Sequence, residues 1–119
     1  MTIIKLNTAS AELSAPTPVP VPVGLPVPAV CTVSHASKAN ARTRTGVWEC
    51  SPGRFRRQVL QAEFSHFLEG ECSFTPDGGE TIEIRPGDAL FFPANSLGVW
   101  DIRSTTRKVF IVFDEREPT

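Results

Sequence analysis

From Arg44 onward, turn residues cut the chain into runs too short for helices. "SPGR" (Ser51–Arg54), "PDGGE" (Pro76–Glu80) and "RPGD" (Arg85–Asp88) punctuate the series "TGVWECS", "FRRQVLQ", "AEFSHFLEG", "ECSFTP", "TIEI", "ALFFP", "GVWDIR" and "RKVFIVF". Asp-Gly and Gly-Gly supply the positive φ values that tight hairpin turns require. "TIEI" alternates polar and apolar with the period of a half-buried strand. No helical periodicity is sustained anywhere in the sequence. Many short strands at close spacing predict an all-β barrel or jelly roll rather than an open sheet, and 119 residues suit one structural domain.

Ahead of this series lies "APTPVPVPVGLPVPAV" (Ala15–Val30), which holds six of the eleven prolines. Proline removes a backbone donor and fixes φ, so the segment is neither a helix nor a central strand. Polyproline II is its natural conformation. We read residues 1–43 as an N-terminal strand and Pro-rich arm, and 44–119 as the barrel. The alternating valines need covering, so the arm should lie over its own barrel or a second subunit. A PxxP ligand for an SH3-like partner is the alternative.

Lys+Arg 12 against Asp+Glu 13 gives a net charge of −1, which leaves no footprint for nucleic acid or an anionic membrane. Cys31, Cys50 and Cys72 form no CxxC pair. Their odd number argues against a disulfide scaffold. The N-terminus lacks a secretory apolar stretch, and no run approaches transmembrane length. A reduced, cytoplasmic protein is expected.

Two spacings carry a resemblance. Glu63 and Gly70 enclose six residues, and Gly87 and Pro93 enclose five, with a hairpin between the two patterns. Together they resemble the two motifs of the cupin superfamily. That likeness implies a cupin-type double-stranded β-helix, the RmlC-like jelly roll. "GVWECSPGRFRR", "EFSHFLEGE", "TPDGGE", "GDALFFPANSLGVW" and "RKVFIVF" further resemble small single-domain cupins of unknown function grouped with (S)-ureidoglycine aminohydrolase. This narrower likeness implies a jelly-roll fold and a homodimer, and for most members no demonstrated activity.

The departures from the motif bear on chemistry. Where metal-binding cupins carry a His-x-His pair, this chain has Arg57 and Val59, or Arg56 and Gln58 if the gap is one residue longer. The second-motif histidine falls on Gly98. Only Glu63 remains of the usual three histidines and a glutamate. A transition metal wants three or four N, O or S donors, so no cofactor is expected. A divalent metal, if any, would have to use Glu63 and His66. On a regular strand those two point to opposite faces. The other histidine, His35, sits in a polar, loop-like stretch, "SHASKANAR".

Glu63 is the candidate catalytic residue, a carboxylate inside a barrel able to act as acid or base. Its alternative is a buried anion paired with Arg56, Arg57 or Lys108. Candidate substrate-binding residues are Trp48 and Trp100 for stacking, Arg57 for clamping a carboxylate, His66 as a proton shuttle or a packed outer-face residue, and Lys108, which faces inward by parity with Phe110. The function expected is the binding of a small polar metabolite, with an enzyme of ureide or amino-acid metabolism and a metal-free binding or sensing module as the two forms.

Overall fold

The computed structural model describes residues 3–9, 12–36 and 42–113. Its strands are β1 (Thr17–Pro18), β2 (Ala29–Ala36), β3 (Thr43–Cys50), β4 (Gly53–Val59), β5 (Ala62–Glu69), β6 (Cys72–Pro76), β7 (Ile82–Ile84), β8 (Ala89–Phe92), β9 (Ser96–Ile102) and β10 (Thr106–Phe113). The fold is all-β, and every strand pair is antiparallel.

Pairing follows a nested pattern. β3 pairs with β10, β4 with β9, β5 with β8 and β6 with β7. The eight strands therefore behave as one long hairpin rolled up on itself. Folding distributes them over two sheets, β1-β2-β3-β10-β5-β8 and β4-β9-β6-β7. This is a jelly roll. The turns lie where Pro and Gly place them: Gly53, Gly78 and Gly87 all have positive φ, the conformation that glycine adopts without a Cβ penalty.

The inner faces of the two sheets meet in one core. Phe55, Phe67, Phe74, Ile84, Phe92, Trp100 and Ile102 are all buried within it. Phe74 packs edge-on, standing 5.0 Å from Trp100 at 65° and 5.4 Å from Phe92 at 87°. Edge-to-face contacts of this kind add to the burial energy.

The barrel begins earlier than the sequence suggests. β2 lies ahead of residue 44, yet it forms a continuous ladder with β3 from Val30↔Cys50 to Ala36↔Arg44. His35 belongs to this ladder, opposite Thr45 and half-buried, rather than to a loop. Its neighbours 37–41 in the expected loop lie outside the described residues. Thr32 and Ser34 lie on the exposed face of this strand, and His35 lies on the other with Val33.

The Pro-rich arm straps the two sheets together. β1 adds to the edge of β2. Further along, the Val23 amide donates to the Arg54 carbonyl and the Arg56 amide donates to the Val21 carbonyl, both at 2.9 Å. These bonds cover the free edges of β2 and β4, which would otherwise invite edge pairing. Every proline tolerates this because the arm is an edge, where a missing donor faces outward. Val19 is the arm's anchor, a buried member of the core. Replacing Val19 by Ala should lower the unfolding free energy by about 1–3 kcal/mol. Leu25→Ala on the same arm, at a side chain 89% exposed, should change it by less than about 0.5 kcal/mol. Urea midpoints of the two variants check this.

Candidate functional site

A cavity of about 330 Å³ opens between the sheets and the arm. Alternation along the strands selects its wall. β4 turns Phe55, Arg57 and Val59 inward, β3 contributes Arg44 and Trp48, and β9 contributes Trp100. Glu63, Lys108 and Phe110 complete the barrel side, while Ser14 and 17–20 of the arm close the remaining one.

An ion pair stands at the centre of this wall. Lys108 Nζ donates to Glu63 Oε2 at 2.6 Å, and Ser65 Oγ donates to the same oxygen at 2.6 Å. The side chains are only 6% and 13% exposed. Lys108 stands opposite Phe67 and Glu63 opposite Val112, so the two side chains lean toward each other across Ser65. The aim of Lys108 depends on a bulge. Pairing jumps from Arg107↔Glu69 to Lys108↔Phe67, leaving Leu68 as the extra residue, and such bulges re-aim side chains. Arg107 consequently faces outward to Glu69 and Glu49.

Aromatic faces surround the ammonium. Lys108 Nζ lies 4.8 Å from the Trp48 ring centroid, 5.3 Å from Trp100, and 5.7 Å from both Phe67 and Phe92. Each such contact contributes about 0.5–2 kcal/mol, the upper end when desolvated. Burial pushes the Glu63 carboxyl up, but the Lys108 charge, hydrogen bonds from Lys108 and Ser65, and the Arg57 charge outweigh it. Glu63 titrates below its ordinary value. Burial lowers Lys108, and the Glu63 charge and hydrogen bond offset this only in part. Burial also pushes the Cys50 thiol up to about 12, which keeps it protonated and unreactive.

The structure brings together Trp48, Arg57, Glu63, Trp100 and Lys108, and leaves His66 out. His66 sits on the exposed outer face of β5, opposite Val109 and Ala89. As a pocket residue it is corrected by strand parity, which also keeps Glu63 and His66 from converging on one ion. Of the three cations weighed for Glu63, Lys108 is the partner. Arg56 turns outward and binds Asp77 at 2.8 Å. Arg57 turns inward and makes no hydrogen bond or ion pair among the described residues.

The residues in the motif positions do not suit a transition metal. Gly98, which replaces the second-motif histidine, lies under the Phe74 ring. A Cβ at Gly98 would come within 2.6 Å of that ring, leaving no room for an imidazole. Arg57 and Val59 replace the histidine pair, and the Glu63 oxygen that would bind metal already accepts from Lys108. Among the described residues no three His, Cys, Asp or Glu side chains cluster as metal ligands. The cation that engages Glu63 is the Lys108 ammonium.

Sequence reasoning missed Ser65, Arg44 and the arm. Parity could have found the first two, since Ser65 shares the Glu63 face and Arg44 the Trp48 face. No periodicity in the arm predicted that Ser14, Thr17 and Pro18 line the cavity.

Fold and wall together define a cupin barrel. The EutQ-like cupin domain family matches residues 37–110, and the chain belongs to that family. The fold is shared with the Clostridium difficile EutQ protein at 17% identity, over 72% of this chain and 63% of that one, with a TM-score of 0.64. A protein of unknown function from Pseudomonas syringae pv. tomato aligns at 21% identity over 90% of this chain and 46% of that one, with a TM-score of 0.74. One from Rhizobium leguminosarum bv. viciae, also of unknown function, aligns at 16% identity over 97% and 100%, with a TM-score of 0.73. The chain thus spans less than two thirds of the first two. The search of curated proteins found no match to this chain. The narrower grouping with (S)-ureidoglycine aminohydrolase gains no support from these likenesses. Among the described residues no helix is long and apolar enough to cross a membrane.

Glu63→Gln should cost about 3–5 kcal/mol at neutral pH, because it strands a buried ammonium. Stability of that variant should rise with pH toward the ordinary lysine value of about 10.4, as Lys108 sheds its proton. Lys108→Met strands the carboxylate instead, so that variant should lose stability as pH rises above about 4.3. Wild type has the opposite acid limb: Glu63 is depressed, so its contribution is lost as pH falls through the folded-state value. The double variant should recover most of either loss. Urea midpoints across pH check all three.

Proposed function

We propose that the barrel binds a small anionic metabolite with a flat or apolar body, without a resident metal. The observation that carries this is Arg57, a guanidinium with no ion-pair partner among the described residues, on the wall of a cavity whose acidic lining residue among them, Glu63, is already neutralised by Lys108. With Arg44 also on the wall, cations outnumber carboxylates there, and a low-dielectric cleft focuses that potential on an entering anion. Arginine grips a carboxylate through two parallel hydrogen bonds. Trp48 and Trp100, one from each sheet with ring centroids 5.9 Å apart, offer apolar faces to the rest of the ligand.

Chelator-treated protein titrated with a panel of small carboxylates should show a raised melting temperature. A ligand at a hundred times its Kd adds about 2.7 kcal/mol. Arg57→Ala should abolish the shift, and Arg57→Lys should keep a fraction of it, since lysine provides a point charge without the fork. Shifts that need added metal, or that survive Arg57→Ala, would refute the reading.

An enzyme of ureide or amino-acid metabolism is a second reading. It is favoured by the carboxylate–ammonium pair beside the cavity, where Glu63 Oε1 makes no hydrogen bond among the described residues. We also propose a cytoplasmic homodimer. Phe64 and Phe91 face each other across β5 and β8 on the outer surface of the larger sheet, 45% and 54% exposed, and offer a second copy an apolar patch.

A further inference from the structure

Lysine at an inner barrel wall has a chemistry that a metal or an arginine lacks. Among the described residues, Lys108 is the one lysine lining the cavity. The Leu68 bulge and the β5 register fix its direction, and its amine touches a carboxylate that can take and return protons. Arg57 lines the same cavity as Lys108 and Glu63.

We propose that Lys108 Nζ forms a Schiff base with the carbonyl carbon of a small 2-oxo acid whose carboxylate is held by Arg57. This rests on the anion-binding reading and names the ligand class for the same cavity. A carbonyl answers the amine, a carboxylate answers the guanidinium, and about 330 Å³ has room for a small molecule carrying both. Desolvated lysines lose their proton more readily, which is how they become nucleophiles. Burial acts on Lys108 in that direction.

The step balances within the site. The Lys108 ammonium passes one proton to Glu63, and the neutral amine adds to the carbonyl carbon. A C–N bond forms as the C=O π bond breaks, and the carbonyl oxygen takes the proton from Glu63. A second nitrogen proton travels by the same carboxylate to the hydroxyl. The C–O bond then breaks and water leaves. Both hydrogens of that water come from the ammonium, and the positive charge stays on the iminium beside ionised Glu63. No oxidant, reductant or metal enters.

The test uses the full chain incubated with pyruvate and cyanoborohydride, followed by peptide mapping. The sequence has three lysines, Lys5, Lys38 and Lys108, so the first two report indiscriminate labelling. The expected result is a reduced carboxyethyl adduct that accumulates on Lys108 faster than on Lys5 or Lys38, despite its burial, and that slows in Arg57→Ala. Lys108→Arg keeps the charge but cannot condense, and should lose that adduct while retaining a pyruvate-induced rise in melting temperature. Labelling confined to Lys5, Lys38 and the terminal amine, with the thermal shift intact, would overturn the Schiff base and leave anion binding standing. Neither adduct nor thermal shift would remove both.

Discussion

Everything else in the barrel is arranged around one buried ion pair. Taking Glu63 and Lys108 out of water costs several kcal/mol per ion, and close geometry has to offset it. That geometry comes from three elements. β5 and β10 are neighbouring strands, so the two side chains share a wall. Ser65 adds a second hydrogen bond to the carboxylate. Trp48, Trp100, Phe67 and Phe92 turn their faces to the ammonium. The aromatic core therefore serves a packing role and an electrostatic one together.

The same pair accounts for what the motif positions have become. Once a side-chain ammonium neutralises Glu63, histidines around it have nothing to hold. Gly98 lets the Phe74 ring approach the β9 backbone closely, and that ring packs against Trp100 and Phe92. Arg57 is the exception to this filling-in. It points into the cavity without an ion-pair partner among the described residues, beside a carboxylate that Lys108 has already engaged. A charge left in that position is more readily understood through a ligand than through the fold.

Much of this was legible from the residues. β3 to β10 were readable because Pro-Gly and Asp-Gly turns bound each run and alternation marks each face. Parity with Phe110 turned Lys108 inward, while residue type and the cupin likeness marked Trp48, Arg57, Glu63 and Trp100 as candidates. The failures have equally physical causes. β2 carries Thr32, Ser34 and His35, residues of a turn-like composition, and only its ladder with β3 makes it a strand. The bulge at Leu68 depends on tertiary pairing and leaves no mark in the sequence. The arm lines the cavity because its backbone bridges two sheet edges, and a proline repeat reveals neither edge.

Sharing a fold at 16–21% identity says nothing of chemistry, which resides in the site. A divalent ion in a cupin barrel polarises oxygen ligands and acidifies bound water. An ammonium does neither. It can neutralise a carboxylate, attract an anion and, once deprotonated, form a covalent bond. With Lys108 engaging Glu63, the pair itself offers the chemistry of amines and carboxylates. The lysine's placement within reach of Glu63, and in the field of Arg57, is what makes that chemistry available at one point of the wall.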